Sequence, residues 1–280
     1  MILVTGATGA FGRLVAQELA ATAGETLTLC GDPSTTAPGH HAIDLTDAAA
    51  VRRLIDRVRP TAVYHLAGAF AGEFGAMLSV NALAARHLFY AFDAAGLRPR
   101  VVVIGSAAEY GRVEPHENPV REDRMLAPVS AYGATKALQT HLAGEYAHRG
   151  GDVVVARMFN LIAPGLSDRL FVGRVEQQIA RFKAGDTAAI LVGNLDAQRD
   201  YVDGAEAVRQ LQAIAARGFA GGVYHIASGV PLRMRELLLR MLAEADVDPS
   251  VVRENDPATG RGSYDAPVIF ADIAKTRAIL

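Results

Sequence analysis

The sequence predicts an α/β fold, a doubly wound parallel sheet with a smaller lobe interleaved towards the C-terminal half. Three observations predict it. Short β-rich runs alternate with longer helical patterns through the first half of the chain. Strands such as VVVIG (residues 101–105) are almost wholly apolar, which is typical of parallel strands covered by helices on both faces. Beyond Phe159 the regular alternation breaks. Right-handed crossovers between such strands give a doubly wound sheet.

The first half of the chain predicts five principal strands and a short sixth one, separated by helices. The second helix ends before Pro60, because proline disfavours helical backbone at the residue it follows. In order, the predicted elements are a strand at residues 1–5, a helix from Phe11 to about Ala23, a strand Thr26–Cys30, a short strand His41–Asp44, a helix Asp47–Val58, a strand Thr61–Leu66, a helix from about Gly75 to Ala95, a strand Arg100–Gly105, a helix Ala131–Arg149 and a strand Asp152–Arg157.

The second half predicts shorter elements between Pro/Gly-rich loops. They are a loop Ala163–Leu166, a helix near Phe171–Ala184, short strands near Ala189–Val192 and Val223–Ile226, a helix near Arg233–Ala245 and a loop-rich stretch Asp256–Pro267. We therefore expect a large domain over residues 1–159, completed by sheet elements from about 188–225 and 266–272. The smaller lobe would comprise residues 160–187 and 226–265.

Composition narrows the class of protein. The chain has 280 residues, 50% of them hydrophobic and 21% charged, which is typical of a globular protein. A formal net charge of −2 and no basic cluster longer than Arg52-Arg53 argue against nucleic-acid and anionic-membrane surfaces. No run approaches the ~18 apolar residues of a membrane span, and the N-terminus lacks a signal-peptide pattern. We expect a cytoplasmic protein.

The single cysteine, Cys30, excludes an internal disulfide. Its apolar neighbours favour a small buried hydrophobe over a reactive thiol. His141, Glu145 and His148 fall on one helical face, but the sequence supplies no further ligand at a recognised spacing. We therefore expect no metal site.

Three glycines, Gly6, Gly9 and Gly12, are spaced three residues apart between the first strand and the first helix. They could serve only a tight turn and close helix–strand packing. However, amides at a helix N-terminus attract anions, and glycine lets a phosphate approach the backbone. Their position at the start of a β/α alternation predicts dinucleotide binding.

Two acidic residues are candidates for the adenosine half of such a ligand. Asp32 lies just past the second strand, where a carboxylate can accept hydrogen bonds from a ribose, although it could also be a turn residue before Pro33. Asp44 and Leu45 end the third strand, where an adenine could be contacted.

A second group of residues points to proton transfer. Tyr132 and Lys136 are four apart and share a helical face, and Ser106 ends a central strand. A phenol with a pKa near ~10 is a poor acid–base group at neutral pH, but a nearby ammonium lowers that pKa. The carboxyl ends of such strands are where ligands bind.

Together these stretches resemble the extended short-chain dehydrogenase/reductases, specifically the NAD-dependent epimerase/dehydratase group that acts on nucleotide sugars. The resemblance covers essentially the whole chain and implies a Rossmann fold. It rests on TGATGAFG, AIDLTD, YHLAG, SVNALAARHLF, GSAAEYG, AYGATK and ARMFNLIAPG. GNLDAQRDYVDGAEAV, VYHIASGVPLRMRELL and the ending APVIFADIAKTRAIL resemble the GDP-sugar dehydratase and reductase branches, most closely the GDP-6-deoxy-mannose reductases.

The resemblance implies site residues throughout the chain. The implied catalytic set is Ser106, Tyr132 and Lys136. The implied cofactor contacts are Gly6, Gly9, Ala10, Phe11, Gly12, Asp32, Asp44, Leu45, Leu66, Ala67, Gly68, Asn81, Tyr132, Lys136 and Phe159. The implied substrate contacts are Ser106, Ala107, Tyr132, Asn160, Arg174, Arg199 and Arg261, with Arg199 gripping the diphosphate.

The chain departs from the family pattern at several positions. The dehydratases carry a glutamate two residues after the serine or threonine, where this chain has Ala108, and Glu109 should point elsewhere. Leu161 replaces a common histidine of the reductases, and Ala163 replaces a common glycine. An arginine near the C-terminus, Arg261, matches only if its spacing to Asp265 has grown by one residue.

The resemblance implies reduction of a 4-keto-6-deoxy nucleotide hexose with NAD or NADP. Asp32 and the absence of arginine or lysine from Gly31 to Thr36 favour NAD, whereas Arg13 could receive a 2′-phosphate. One alternative is a nucleotide-sugar 4-epimerase with tightly bound NAD. Another, from a different class, is a dinucleotide-binding sensor without turnover.

The resemblance also implies a homodimer through the helices near 75–95 and 131–149. These helices carry apolar residues beyond one stripe, among them Leu83, Leu88, Phe89 and Leu142. Packing onto the sheet is the simpler alternative for the same residues. A four-helix interface between two copies is the expectation we favour.

Overall fold

A computed structural model describes residues 1–22, 27–31, 40–254 and 266–280. Its centre is a seven-stranded sheet in which every neighbouring pair is parallel. The strands lie in the order Val223–Ile226 (β10), Val153–Met158 (β6), Arg100–Ser106 (β5), Ala62–His65 (β4), Ile2–Thr5 (β1), Leu27–Gly31 (β2) and His40–Ala42 (β3). The predicted doubly wound α/β fold is therefore confirmed. The predicted helix end at Ala23, the predicted strand start at Thr26 and residues 256–265 of the predicted loop lie outside the described residues.

The elements of the large sheet and its helices are as follows: β1 Ile2–Thr5, α1 Ala10–Thr22, β2 Leu27–Gly31, β3 His40–Ala42, α2 Ala48–Val58, β4 Ala62–His65, α3 Phe74–Leu78, a π-helical turn Ser79–Leu83, α4 Ala84–Ala95, β5 Arg100–Ser106, α5 Ala131–His148 and β6 Val153–Met158. Between β5 and α5 lie two 3₁₀ turns, Ala107–Tyr110 and Pro115–Glu117.

The remaining described elements are β7 Asn160–Ile162, α6 Phe171–Lys183, β8 Ile190–Leu191, β9 Gln198–Asp203, α7 Gly204–Arg217, β10 Val223–Ile226, β11 Pro231–Arg233, α8 Met234–Glu244, a 3₁₀ turn Pro249–Val251, β12 Val252–Arg253, β13 Val268–Ile269 and α9 Ala274–Arg277.

Both faces of the sheet are covered, as its apolar strands require. Helices α2, α4 and α5 form one hydrophobic cluster with the sheet, and α1 and α7 form a second cluster on the other face. Within the first cluster the Phe89 and Tyr146 rings stack with centroids 4.4 Å apart. Cys30 is buried there, and burial raises its pKa to about 11, which agrees with a packed hydrophobe.

Within the described residues, no helix is long and apolar enough to cross a membrane.

The helix predicted from about Gly75 to Ala95 runs from Phe74 to Ala95, but a π-helical turn at Ser79–Leu83 interrupts it. Such turns are rare and frequently occur at functional sites. The backbone N–H of Ala84 bonds back to the Ser79 carbonyl, which is the wider π spacing. Asn81 lies within this turn.

The sequence analysis assigned no element to β9 or α7. Asp203 caps α7 by accepting a hydrogen bond from the Ala205 amide at 2.8 Å. Along α7 the buried apolar residues recur at helical spacing, at Ala207, Val208, Leu211 and Ile214. An N-cap followed by this pattern is an ordinary helix signal, so the helix was detectable from sequence.

The second half of the chain contains a small sheet around β9. β7 and β13 pair with β9 in parallel, and β11 pairs with it antiparallel. A separate hydrophobic cluster joins α6, α8 and β8. This cluster supports the predicted smaller lobe, whose boundaries stay a prediction.

Asp200 of β9 joins three segments of the second half. It is fully buried, and its carboxylate accepts hydrogen bonds from the Ser228 amide and hydroxyl, the Gly229 amide and the Ala271 amide, at 2.7 to 3.1 Å. One charged acceptor thus fixes the loop after β10 and the C-terminal segment against β9.

We expect the variant Asp200→Asn to unfold more easily. An asparagine NH₂ group would face backbone N–H donors, and each lost bond to a charged acceptor is worth about 1.5–3 kcal/mol. The free energy of unfolding should fall by about 3 kcal/mol in urea titrations. The control variant Asp196→Asn changes an exposed carboxylate of the same segment and should shift it by less than about 0.5 kcal/mol. Equal unfolding midpoints for Asp200→Asn and the unmutated protein would contradict the prediction.

Candidate functional site

The glycine-rich turn after β1 has a backbone that tolerates no side chain at two positions. Gly6 has a φ of +70°, and a Cβ there would lie 2.6 Å from the Ala67 amide nitrogen. A Cβ at Gly12 would lie 2.0 Å from the Gly6 carbonyl oxygen. The first turn of α1 therefore packs directly on the loop that precedes it.

Gly9 differs from these two glycines. It is exposed at the mouth of α1, and a Cβ there would have only the Gly6 carbonyl oxygen within reach, at 3.4 Å. Ala10 and Phe11 begin the helix, so their amides belong to its N-terminus. An open backbone followed by a helix N-terminus fits the diphosphate of a dinucleotide.

The loop after β4 lies against the glycine turn. The Leu66 amide donates to the Thr5 carbonyl at 3.2 Å, and Ala67 contacts Gly6. Gly68 lies close to the Asn81 side chain, since a Cβ there would be 3.3 Å from Asn81 Oδ1. These predicted cofactor residues therefore occupy one continuous surface.

Asn81 links this loop to α5. Its Oδ1 accepts from the Ala69 amide at 2.8 Å, and its Nδ2 donates to the Ala69 carbonyl at 2.8 Å and to Thr135 Oγ1 at 2.9 Å. Thr135 in turn donates to the Tyr132 carbonyl. The fully buried Asn81 thus positions the loop and the helix.

The residues predicted for the adenosine side are only partly described. Asp44 Oδ1 accepts from the amide and hydroxyl of Thr46, and the Leu45 carbonyl lies 3.1 Å from His87 Nδ1. Asp32 lies outside the described residues. Gly31 is the last residue of β2 and packs closely on Thr8. A Cβ at Gly31 would lie 2.4 Å from Thr8 Cγ2.

Ser106, Tyr132 and Lys136 come together at the carboxyl end of β5. Ser106 is the last residue of that strand and Tyr132 lies in the first turn of α5, near enough for the Ser106 hydroxyl to lower the pKa of the phenol. Lys136 is 3% exposed and donates to the Ile104 carbonyl at 2.5 Å and to the Gln139 side-chain carbonyl. Polar side chains of α5 thus meet the end of β5.

The environment shifts the pKa of both acid–base groups. Burial raises the pKa of Tyr132, with a contribution from the Glu109 charge, while the hydrogen bond with Ser106 lowers it. Burial lowers the pKa of Lys136 to about 8, and the Glu109 charge opposes that shift. The sequence analysis expected Lys136 to lower the pKa of the phenol. That expectation is wrong for this structure, because the ammonium is directed at Ile104 and Gln139 and burial dominates.

The residues predicted to contact the substrate are more dispersed. Asn160 begins β7 and its Nδ2 donates to the Asp200 carbonyl at 2.9 Å. Arg199 of β9 is 6% exposed and donates to the Gln198 carbonyl at 2.7 Å. Arg174 of α6 bonds to the Asp168 and Arg169 carbonyls. Ala107 follows Ser106 directly, and Arg261 lies outside the described residues.

Phe159, one of the predicted cofactor contacts, is 6% exposed and packs edge-on against His225 with ring centroids 5.1 Å apart.

Phe70 is a candidate site residue that the sequence did not predict. Its ring is 43% exposed in the loop after β4 and meets the Tyr132 ring edge-on at 6.3 Å. Only the three-dimensional approach of this loop to α5 reveals it.

Two further polar side chains near the site are buried, and Glu109 points away from it as the sequence predicted. His65 is a packed strand residue, 1% exposed, with Nδ1 2.8 Å from Thr5 Oγ1. Burial lowers its pKa to about 3, with a contribution from the Lys136 charge. Glu109 is fully buried and faces Arg157 of β6 rather than the open side of the sheet edge.

Comparisons with known proteins agree on one family. Residues 2–227 match the family described as NAD dependent epimerase/dehydratase. The chain is 31% identical over 277 residues to GDP-6-deoxy-D-mannose reductase of Pseudomonas aeruginosa, an alignment that covers 94% of this chain and 88% of that protein. It is 30% identical over 268 residues to dTDP-6-deoxy-L-talose 4-dehydrogenase (NAD(P)(+)) of Kitasatospora kifunensis, with 93% and 84% covered.

Among solved structures, RMD from Pseudomonas aeruginosa complexed with NADPH superimposes with a TM-score of 0.85 and 27% sequence identity. The superposition covers 99% of this chain and 91% of that one.

Gly9, just before α1, and Gly12, in its first turn, give a matched test of dinucleotide binding. We expect the variant Gly9→Ala to fold normally, because its methyl group meets only one atom at 3.4 Å, and to bind the dinucleotide at least about 10-fold more weakly, because the backbone can no longer approach the diphosphate. Gly12→Ala should instead lower the unfolding temperature, since its methyl group overlaps the Gly6 carbonyl. Calorimetric titration with NADH and NADPH and thermal unfolding measure both effects. Undiminished affinity of Gly9→Ala for both cofactors would contradict the assignment.

Proposed function

Because the chain belongs to the NAD-dependent epimerase/dehydratase family, we propose that it is an NAD(P)-dependent nucleotide-sugar oxidoreductase. The reaction supported best is reduction of a 4-keto-6-deoxy nucleotide hexose, of the GDP-4-keto-6-deoxymannose kind. The observation that carries this proposal is the proximity of the Ser106 and Tyr132 side chains at the end of β5, with Lys136 one helical turn after Tyr132. Similarity to the reductase of Pseudomonas aeruginosa over 94% of the chain supports the substrate class.

Reduction requires one hydride and one proton. The bound nicotinamide cofactor supplies the hydride. Tyr132 donates its phenolic proton to the sugar oxygen at C4″, and Ser106 hydrogen-bonds that oxygen. The phenol carries its proton at neutral pH, as a proton donor must, and burial raises its pKa further.

The contacts of Lys136 allow it a further role in binding the cofactor. An ammonium has three N–H donors, and the described contacts direct two of them to Ile104 and Gln139. The third is available to the nicotinamide ribose. With its pKa lowered to about 8, the side chain is still mostly charged at neutral pH.

A 4,6-dehydratase needs a base that removes the C5″ proton, and this chain lacks one at the expected place. Ala108 has a methyl group there, which can neither accept nor donate a proton. The neighbouring Glu109 uses both carboxylate oxygens on Ser106, Thr140 and Arg157. The reductase proposal is thus favoured over dehydration.

A 4-epimerase would use the same three residues, so it remains the alternative enzyme. A dinucleotide-binding sensor without turnover is the alternative from another class. The complete Ser106, Tyr132 and Lys136 set argues against the sensor, because a binding module has no need of a proton donor.

The choice between NAD and NADP stays a prediction that favours NAD. It rests on Asp32 and on the lack of basic residues directly after β2. Arg13 is the opposing feature. It is exposed, its Nη1 donates to the Thr8 carbonyl at 2.6 Å, and its Nη2 lies beside Gly165, where a Cβ would be 2.9 Å away.

We also propose a homodimer through α3, α4 and α5, in the cytoplasm. Large hydrophobic residues on these helices are exposed, namely Phe74 (52%), Tyr90 (52%) and Leu138 (39%). A second copy would cover them, as in a four-helix interface.

Replacing the proton donor should abolish most turnover. The variant Tyr132→Phe should reduce kcat with a 4-keto-6-deoxy GDP-hexose by a factor on the order of 10²–10⁴, the usual scale for a positioned acid. Its affinity for the cofactor should change little. The control variant Tyr90→Phe removes the hydroxyl of an exposed tyrosine and should keep the unmutated kcat. Near-normal turnover by Tyr132→Phe would show that another group donates the proton.

The fate of the hydride distinguishes reductase from epimerase. With cofactor deuterated at nicotinamide C4 and a 4-keto-6-deoxy GDP-hexose, we expect stoichiometric consumption of cofactor and deuterium at C4″ of the product. Mass spectrometry and proton NMR measure both. Interconversion of 4-hydroxy sugars without net cofactor consumption, with 4-keto sugars untouched, would establish the epimerase instead. GDP-mannose with oxidised cofactor is the control for dehydration and should yield no 4-keto product.

Cofactor titrations test the nicotinamide preference. We expect a lower Kd for NADH than for NADPH, because Asp32 favours a ribose 2′-hydroxyl over a 2′-phosphate. Arg13→Ala should leave the Kd for NADH unchanged. A much lower Kd for NADPH, raised selectively by Arg13→Ala, would overturn the prediction and assign Arg13 to the 2′-phosphate.

A further inference from the structure

Glu109 connects the segments that carry the catalytic residues. It lies in the 3₁₀ turn Ala107–Tyr110, immediately after Ser106, and is fully buried. Its Oε1 accepts a hydrogen bond from the Ser106 amide at 2.6 Å. A Cβ at Gly105 would lie 2.7 Å from the same oxygen, so the carboxylate is pressed against the end of β5.

The second carboxylate oxygen reaches two other elements. Oε2 accepts from Thr140 Oγ1 of α5 at 2.8 Å, and from Arg157 Nε and Nη2 of β6 at 3.1 and 2.9 Å. Thr140 lies one helical turn after Lys136 and therefore on the same face of α5. One carboxylate thus joins the strand end that bears Ser106 to the helix that bears Tyr132 and Lys136.

Arg157 is itself held in place by Tyr110. Its Nη1 donates to the Tyr110 hydroxyl oxygen at 2.7 Å, and its guanidinium stacks on the Tyr110 ring. The Tyr110 hydroxyl lies 2.6 Å from His225 Nε2, and His225 Nδ1 lies 2.8 Å from the Asp272 carbonyl. Because the groups that face Nδ1 are acceptors, the Asp272 carbonyl and, at 3.7 Å, Glu122 Oε1, Nδ1 carries the proton and the Tyr110 hydroxyl donates to Nε2. The network leaves Glu109 little freedom to move.

We propose that Glu109 is a positioning residue for the reaction, whose carboxylate fixes Ser106 and the first turns of α5 at their working separation. The proposal deepens the proposed function, since it concerns the same Ser106–Tyr132 pair. It also explains the shift of the acidic residue by one position. A carboxylate at position 108 would be placed as in the dehydratases, whereas at position 109 it holds the catalytic scaffold.

The charge of Glu109 has a second consequence. The ionisable groups on which the carboxylate acts are Arg157 from β6, Lys136 and Tyr132 from α5, and Tyr110 of its own 3₁₀ turn. Glu109 raises the pKa of Tyr132 and opposes the lowering of the pKa of Lys136. Its charge therefore favours the protonated phenol and the cationic lysine, the states from which reduction begins. A residue with only a structural role in the fold would not affect the titration of the phenol.

Two substitutions separate the geometric effect from the electrostatic one. Glu109→Asp keeps the charge but shortens the side chain by one methylene, so it should lower kcat and leave the pKa of Tyr132 unchanged. Glu109→Gln keeps the length but removes the charge, so it should lower the pKa of Tyr132. The pKa is measured as tyrosinate absorbance, by difference from the same protein carrying Tyr132→Phe. The alkaline limb of the kcat profile should move to lower pH with it.

A matched control exists in the next 3₁₀ turn. Glu117 also caps its turn, accepting from the Glu114 amide at 2.7 Å, and it also pairs with an arginine, Arg124. Glu117→Gln should leave both kcat and the pKa of Tyr132 unchanged. If Glu109→Gln and Glu109→Asp behaved like Glu117→Gln in both measurements, the proposal would be overturned.

A second pair of variants leaves the buried ion pair intact, because Glu109→Gln could unfold the protein by removing the partner of Arg157. Thr140→Val deletes only the hydroxyl that ties α5 to Glu109, and Thr140→Ser retains it. Thr140→Val should lower kcat on the order of 10-fold to 100-fold with little change in KM, since a displacement of about 1 Å has an effect of that size. Thr140→Ser should restore kcat.

Full activity in Thr140→Val would also overturn the proposal. The titration of Tyr132 needs no substrate, so it tests Glu109 even if the unmutated protein fails to reduce any 4-keto nucleotide sugar. That failure would count against the proposed function alone.

Discussion

All the paired strands of the large sheet run in the same direction, and the candidate site depends on that constraint. Each strand delivers the residue that follows it to the same edge. β1 leads into the glycine turn, β4 into Leu66 to Gly68, and β5 ends at Ser106. An antiparallel neighbour would send its loop to the opposite edge, so these groups could not meet. Ligand binding at the carboxyl edge is a property of sheets of this kind.

The sequence predicted well those features that depend on neighbouring residues. Fully apolar strands identified the parallel sheet, and the spacing of Gly6, Gly9 and Gly12 identified a turn that the structure shows to be sterically closed at Gly6 and Gly12. Tyr132 and Lys136 lie on one helix, so their proximity follows from helical geometry. Family resemblance added Ser106, which only the fold brings to Tyr132.

Features that depend on distant residues were not predictable in the same way. Nothing near Glu109 in sequence indicates Thr140 or Arg157 as its partners, because those contacts arise from packing α5 and β6 against β5. Likewise, the expectation that Lys136 lowers the pKa of Tyr132 considered two groups only. Burial and the acceptors of Ile104 and Gln139 decide the outcome. The helix α7 is a different case, since its amphipathic spacing was visible and was missed.

The π-helical turn at Ser79–Leu83 bears on how this chain is aligned and engineered. A π turn amounts to one residue more than a regular α-helical path contains, and each residue turns a helix by about 100°. Deleting one residue from the turn would straighten the hydrogen-bond ladder. It would also rotate Met77 and the start of α3 by about a quarter turn relative to the apolar face of α4, which contains Leu88 and Phe92. A gap placed here by an alignment program therefore has a physical meaning, and a designer who regularised this helix would withdraw Asn81 from Ala69 and Thr135.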